Sequence, residues 1–293
     1  MENNLRIEEL RQGGLARIRA NQIEESLRFF DEALALGPDE ELAELLTINK
    51  AGALISLEKD SPEVQKLPQI IMRRRSQRHL YLAAYNLQHK YQIEKDFKRA
   101  SFYARVALDA AEQSGELGWK TQVLIALGNL CVFDSRVGEA ITYYSDALAL
   151  LPETPEHGFR RSFAQQNLGY CFLVDNRIQE GIDLIHSAIA LMKDCGADGY
   201  LAESYIDLCF GYLEQGNLEA ARFFGQQGLE MATEVRQVRN ARYLLGEVAY
   251  KLGDMTSAEV HFGELATFYP DFPHLTDFLL AIDLRSMVNL KLS

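Results

Sequence analysis

The sequence predicts an all-α chain, an α-solenoid of about seven antiparallel helical hairpins closed by one C-terminal helix. Three observations carry this prediction. No segment of the 293 residues reads as a strand, and apolar and small residues recur at steps of three and four, the period of a helix face. A small residue opens the second helix of successive units at Ala100, Ala140, Gly181, Ala221 and Ala258, at separations of 40, 41, 40 and 37 positions. A matching pair recurs on the first helices, at Leu87-Gln88, Leu127-Gly128, Leu168-Gly169, Leu208-Cys209 and Leu245-Gly246. Gly or Cys suits a point where two helix backbones approach closely, so Gln88 predicts a looser contact. Units of this length cannot bury their apolar side alone and must stack on their neighbours.

The first hairpin, 5–38, places Gly13 and Gly14 in the close-packing slots, with Phe30 and Ala33 on its second helix and Pro38 as terminator. Ser26 stands where the other units carry Ala or Gly. The second, 40–77, is degenerate. Ser61-Pro62-Glu63 reads as an N-cap, a first-turn proline and a first-turn acid, and the helix it opens runs through Val64, Leu67 and Ile70, with Pro68 kinking or splitting it. The pattern is regular in the hairpins at 79–114, 117–152, 158–194, 198–233 and 236–270. In 117–152, Leu124, Leu127, Gly128 and Cys131 form one stripe, residues 134–136 break it, and Ala140, Tyr143, Tyr144 and Ala147 form a second before Pro152. Asp175-Asn176, Gly216-Asn217 and Gly253-Asp254 are polar turn signals between antiparallel helices. The stretch 274–291 reads as a single closing helix. One face of it suits Tyr250, Val260 and Leu265, and Leu280, Leu284, Met287 and Val288 form a second apolar face. That second face predicts self-association as a homodimer, or docking on a partner subunit, unless the helix simply continues the stack.

Leu127-Gly128, Ala140, Tyr144, Ala147 and Pro152 together resemble a tetratricopeptide repeat, and the resemblance covers nearly the whole chain as one repeat domain. The units are longer than the standard 34 residues and look like the bacterial repeats of regulators and sensors. The resemblance implies a right-handed superhelix whose first helices line a concave groove at their positions 2, 5, 9 and 12. Those positions give Leu82, Tyr85, His89 and Gln92; Gln122, Ile125, Asn129 and Val132; Phe163, Gln166, Tyr170 and Leu173; Glu203, Ile206, Phe210 and Leu213; and Asn240, Tyr243, Glu247 and Tyr250. A lining of aromatics, aliphatics and amides with few cations does not suit a terminal carboxylate. It suits an amphipathic helix or an extended peptide, although the same aromatics could instead pack neighbouring hairpins together. The function implied is a non-enzymatic scaffold or adaptor binding a protein or peptide. The alternative is a ligand- or peptide-responsive regulator of a separate effector.

Composition bounds the remaining classes. A net charge of −12 disfavours non-specific attraction to nucleic acid or anionic membrane, which need a positive face. No apolar run approaches the roughly 20 residues of a membrane span. The opening MENNLRIEELRQ lacks the pattern of a secretory signal, so a cytoplasmic location is expected. Cys131, Cys171, Cys195 and Cys209 form no CxxC pair and read as reduced structural thiols. No phosphate loop, GxSxG or HExxH occurs and the six histidines are dispersed, so no cofactor, metal or catalytic residue is expected. His89 with Tyr85 one turn away is where a hidden enzyme would have to sit, but no nucleophile accompanies them. The one basic run holds Arg73, Arg74, Arg75 and Arg78. It reads either as a patch for an acidic peptide or phosphate, or as a solvated helix end that complements the helix dipole.

Overall fold

The computed structural model describes residues 2–20, 22–282 and 289–291. Among them are fifteen α-helices and no strand. The chain divides into two compact units, Met1–Leu130 and Cys131–Ser293.

In the first unit α1 (Glu2–Arg19) and α2 (Ile23–Ala35) form a hairpin. Gly14 allows them to close, since a Cβ there would stand 2.6 Å from Phe30 Cε1. Phe30 is buried with Ile7, Leu10 and Ala33 against Leu46 and Ala53 of α3 (Glu40–Ser56), each large side chain contributing about 1.5–3 kcal/mol. Asp39 caps α3 by accepting from the Leu42 N–H. Helix α4 (Pro62–Arg73) starts where the sequence predicts, with Ser61 Oγ accepting from the Val64 N–H at 3.2 Å. It continues through Pro68 to Arg73. Val64, Leu67 and Ile70 pack against Ile48, Leu54, Ala83 and Leu87, so the degenerate hairpin keeps its apolar stripe although it has lost the small-residue signature. Helices α5 (Gln77–Ile93) and α6 (Phe97–Ser114) form the next hairpin. Gln88, in the close-packing slot of α5, is buried and turns its amide along its own helix to Gln92 Oε1 at 2.7 Å. The division between the units falls within α7 (Leu117–Phe133).

The second unit holds α8 (Val137–Leu150), α9 (Gly158–Val174), α10 (Ile178–Asp194), α11 (Leu201–Gln215), α12 (Leu218–Met231), α13 (Val235–Lys251), α14 (Met255–Ala266) and α15 (Leu275–Ala281). Helices pair as α9 with α10, α11 with α12 and α13 with α14, and α11 also packs on α9 and on α13. The first helices of these three hairpins therefore lie side by side. Gly169 and Gly181 show why the pairs need small residues: a Cβ on Gly169 would stand 3.0 Å from the Gly181 carbonyl, and one on Gly181 would stand 2.7 Å from the Gly169 carbonyl. The turns repeat the same register. One left-handed residue occurs in each, at Lys95, Ser135, Asn176, Gly216 and Gly253, with φ of 58°, 56°, 62°, 83° and 77°. Their separations are those of the small residues that follow them.

The closing helix is shorter than the 274–291 that the sequence predicts. It spans Leu275–Ala281, and Ile282 is extended at φ −135°, ψ 124°. Leu279 is buried and Leu280 half-buried, while Leu284, Met287 and Val288 of the predicted second face lie outside the described residues. The helix shares a small pocket with Leu265, Tyr269 and Phe272, but Tyr250 and Val260 stay exposed rather than covered. Residues 289–291 are non-helical, and their polar groups bond to α9, α11 and α13 and to Val132 and Ser135.

Candidate functional site

Three first helices each present side chains at steps of three and four, the spacing that aligns residues on one face. Gln166 and Tyr170 come from α9; Glu203, Asp207 and Phe210 from α11; Arg236, Asn240 and Tyr243 from α13. Across this face lie residues 289–291 of the same chain. Lys291 Nζ stands 2.8 and 2.9 Å from the two Asp207 carboxylate oxygens and 2.7 Å from Glu203 Oε1. It also lies 4.5 Å from the centroid of the Tyr170 ring, within cation–π range. Gln166 Nε2 donates to Asp207 Oδ2, and Arg236 grips Glu203 with two nitrogens at 2.8 and 2.9 Å.

The backbone of the segment is held as well. The Leu290 carbonyl accepts from Asn240 Nδ2 and from Arg236 Nη1 at 3.4 Å. Asn289 Oδ1 accepts from the Tyr170 hydroxyl at 3.2 Å and from the Lys291 N–H at 3.0 Å. Its amide nitrogen donates to the Val132 carbonyl at 3.0 Å and to Ser135 Oγ at 3.2 Å. The arrangement holds a turn of main chain through one carbonyl, an amide side chain two positions before a cation, and the cation itself.

Two cations, Lys291 and Arg236, face two anions, Glu203 and Asp207, away from water. Burial raises the Asp207 carboxyl to about 6, even with the ammonium of Lys291 against it. Burial also opposes ionisation of Glu203, but Lys291 and Arg236 outweigh it and hold that group at about 2. For Lys291, burial works against the charged amine and the two carboxylates more than offset it, so its pKa is raised. Cys171, next to Tyr170, is pushed up to about 12 by burial, so its thiol stays protonated and unreactive. Among the described residues no group of three or more His, Cys, Asp or Glu is placed to hold a metal ion, and no helix is long and apolar enough to cross a membrane.

No protein-family model matches the chain, and no curated protein matches it by sequence. Solved structures do match in shape. NprR in complex with its cognate peptide NprX superposes with a TM-score of 0.71 at 15% identity, over 96% of this chain and 82% of that one. A Rap protein complexed with Competence and Sporulation Factor gives 0.70 at 14% identity, over 97% and 78%. A STAND protein from Pyrococcus horikoshii with a tetratricopeptide repeat sensor gives 0.68 at 14% identity, over 92% of this chain and 44% of that one. The fold is the tetratricopeptide-repeat fold.

Within that fold the groove positions read from the sequence divide between the two units. In the first, Tyr85 and His89 are half-buried; Tyr85 stacks on Tyr81 at 5.8 Å, and Tyr81 stacks on Trp119 at 4.6 Å. Burial lowers the pKa of His89, favouring its neutral form. Asn129 is half-buried. In the second unit Gln166 and Tyr170 touch the 289–291 segment or the carboxylate that holds it. Phe210 is nearly buried with its ring 6.4 Å from that of Tyr170, Tyr243 lines the pocket beside α15, and Glu247 is buried, whereas Tyr250 is 45% exposed. The basic run faces acids of α3: Arg73 lies 4.0 Å from Glu44, and Arg75 contacts both Glu40 and Glu44. Arg74 closes α4 in the left-handed region at φ 48°, and Arg78 is exposed.

Sequence reasoning placed Glu203 and Asn240 on the groove face but missed Asp207, Arg236, Asn289 and Lys291. For Asp207 a signal existed, since it lies one helical turn from Glu203 on the same face. For Lys291 none did, because its partners are 84 and 88 positions away.

Proposed function

We propose that the chain is a non-enzymatic interaction module whose second unit binds a peptide carrying a basic side chain. The observation that carries this reading is the 289–291 segment itself: the face built by α9, α11 and α13 holds a short turn of polypeptide by a main-chain carbonyl, an amide and a buried ammonium. Such a combination of backbone and side-chain contacts is how grooves recognise peptides. Two structures of similar fold, NprR with NprX and the Rap protein with Competence and Sporulation Factor, were determined with bound partners, and the first partner is a peptide. That favours a second reading, in which peptide occupancy controls a separate effector.

The test uses the labelled peptide Met-Val-Asn-Leu-Lys-Leu-Ser and the Lys291→Glu chain, whose own segment has lost its cation. Fluorescence anisotropy should show saturable binding. Adding Glu203→Gln and Asp207→Asn to that chain should abolish it, because the peptide's ammonium then loses both charged partners. Equal affinity with and without the two acids would refute the groove.

A further inference from the structure

We propose that the 289–291 segment is an intramolecular occupant of the groove, one that excludes a partner peptide until it is displaced. The inference rests on the peptide-binding reading and adds a gate to it. Every polar group that would recognise a peptide is already engaged by the chain itself. Gln166 and Lys291 share Asp207, Arg236 and Lys291 share Glu203, Asn240 takes the Leu290 carbonyl, and Tyr170 takes Asn289. Leu290 and Lys291 are 3% and 7% exposed, so an incoming chain finds no unoccupied path along this face.

The seat is that of a ligand more than that of a core element. The segment makes its contacts through one ammonium, one side-chain amide and one carbonyl, on a face that three helices build without it. Removing the segment also uncovers two acids against one arginine, Glu203 and Asp207 against Arg236, leaving a net negative pocket. The entering peptide must therefore supply a lysine or arginine. A neutral peptide would leave Asp207 unpaired in a buried place, a penalty that a buried carboxylate does not tolerate. Because the segment is tethered, its effective concentration at the groove reaches the millimolar range, and it competes without needing high intrinsic affinity.

Occupancy weakens apparent affinity in proportion to the fraction of chains whose groove is open. If about one chain in ten is open, the apparent Kd rises tenfold, equivalent to about 1.4 kcal/mol. The experiment titrates the same labelled Met-Val-Asn-Leu-Lys-Leu-Ser peptide into three full-length chains: unsubstituted, Lys291→Glu and Asn289→Ala. Helicity by circular dichroism confirms that each is folded, and Asn289→Ala, which changes no charge, serves if the glutamate variant is misfolded.

Both variants should bind at least tenfold more tightly than the unsubstituted chain, and a peptide with glutamate in place of lysine should bind none of them. In the unsubstituted chain, saturating peptide should also accelerate hydrogen exchange at the Lys291 amide, which is bonded to Asn289 Oδ1 in the seated segment. Three chains that bind with one affinity, or an exchange rate unchanged at saturation, would overturn the gate while leaving the groove standing. Folded variants that bind no peptide would overturn the groove reading and the gate with it.

Discussion

Asp207 offers a prediction whose sign and size follow from its surroundings. Its carboxyl is fully buried, and burial raises it from the ordinary 3.8 to about 6. The charged and titratable groups that meet it are Lys291 and Glu203, with Arg236 beyond Glu203, the Tyr170 hydroxyl close by and the Gln166 amide bonded to it. Because the folded carboxyl holds its proton more tightly than the unfolded one, the native state binds more protons between about pH 4 and 6. Stability from this group is therefore largest in acid and is lost as pH rises through about 6. A shift of about two units corresponds to about 3 kcal/mol in full, of which about 1 kcal/mol falls between pH 7 and pH 5. Glu203 runs the other way, since its depressed pKa of about 2 gives stability that fails only as pH falls below the ordinary 4.5. Between pH 5 and 7 its contribution is constant. The perturbation is Asp207→Asn, which removes the titration and keeps the shape. Thermal melting at pH 5 and pH 7 should show the native chain gaining about 2–4 °C on the variant at the lower pH. Groups that do not interact with Asp207 cancel in that comparison. A gap that stays constant, or that moves in favour of the variant in acid, would refute the account of Asp207 as a carboxylate held against burial.

Two further outcomes test the fold. Gly181→Ala should destabilise the second unit by about 1–2 kcal/mol, because overpacking against the Gly169 carbonyl and Leu173 outweighs the gain of about 1 kcal/mol in helix propensity; urea unfolding followed by circular dichroism reads it. Lys95→Gly should stabilise the first unit by about 0.5–1 kcal/mol, since Lys95 is exposed and held at φ 58°, and a rise in melting temperature of a few degrees checks it.

The hairpins were legible because their determinants are local and periodic. A small residue must open each second helix wherever two backbones approach as closely as Gly169 and Gly181 do, and that requirement repeats with the unit. The left-handed turn residues obey the same spacing, although only Asn176, Gly216 and Gly253 announce it by type; Lys95 and Ser135 adopt it against their ordinary preference. The N-cap at Ser61 was legible for the same reason, as a bond across three residues. The closing helix was misjudged in length because apolar periodicity beyond Ala281 argued for continuation. The seating of residues 289–291 on α9, α11 and α13 is set by residues that no local window contains. Asp207 was overlooked because the groove positions carried over from the family pattern skip it, and an aspartate beside Ile206 on a buried helix looks misplaced until its cation is known.

The charge of the groove explains why one segment, and not any apolar stretch, can hold it shut. The chain carries an excess of acids, so a face displaying Glu203 and Asp207 meets mostly like charge from the rest of the molecule. Apolar contact alone would seat many segments, with little discrimination among them. An ammonium that must satisfy two buried carboxylates rejects every segment lacking one, because the rejected alternative leaves a desolvated charge behind. The same logic limits what opens the groove. A competitor with a cation but no amide two positions before it would forgo the bonds that Asn289 makes to Val132, Ser135 and Tyr170, and would displace the segment only at higher concentration. Specificity in the proposed groove then resides in the spacing between an amide and a cation on one turn of chain, which Gln166, Arg236 and Asn240 hold in place.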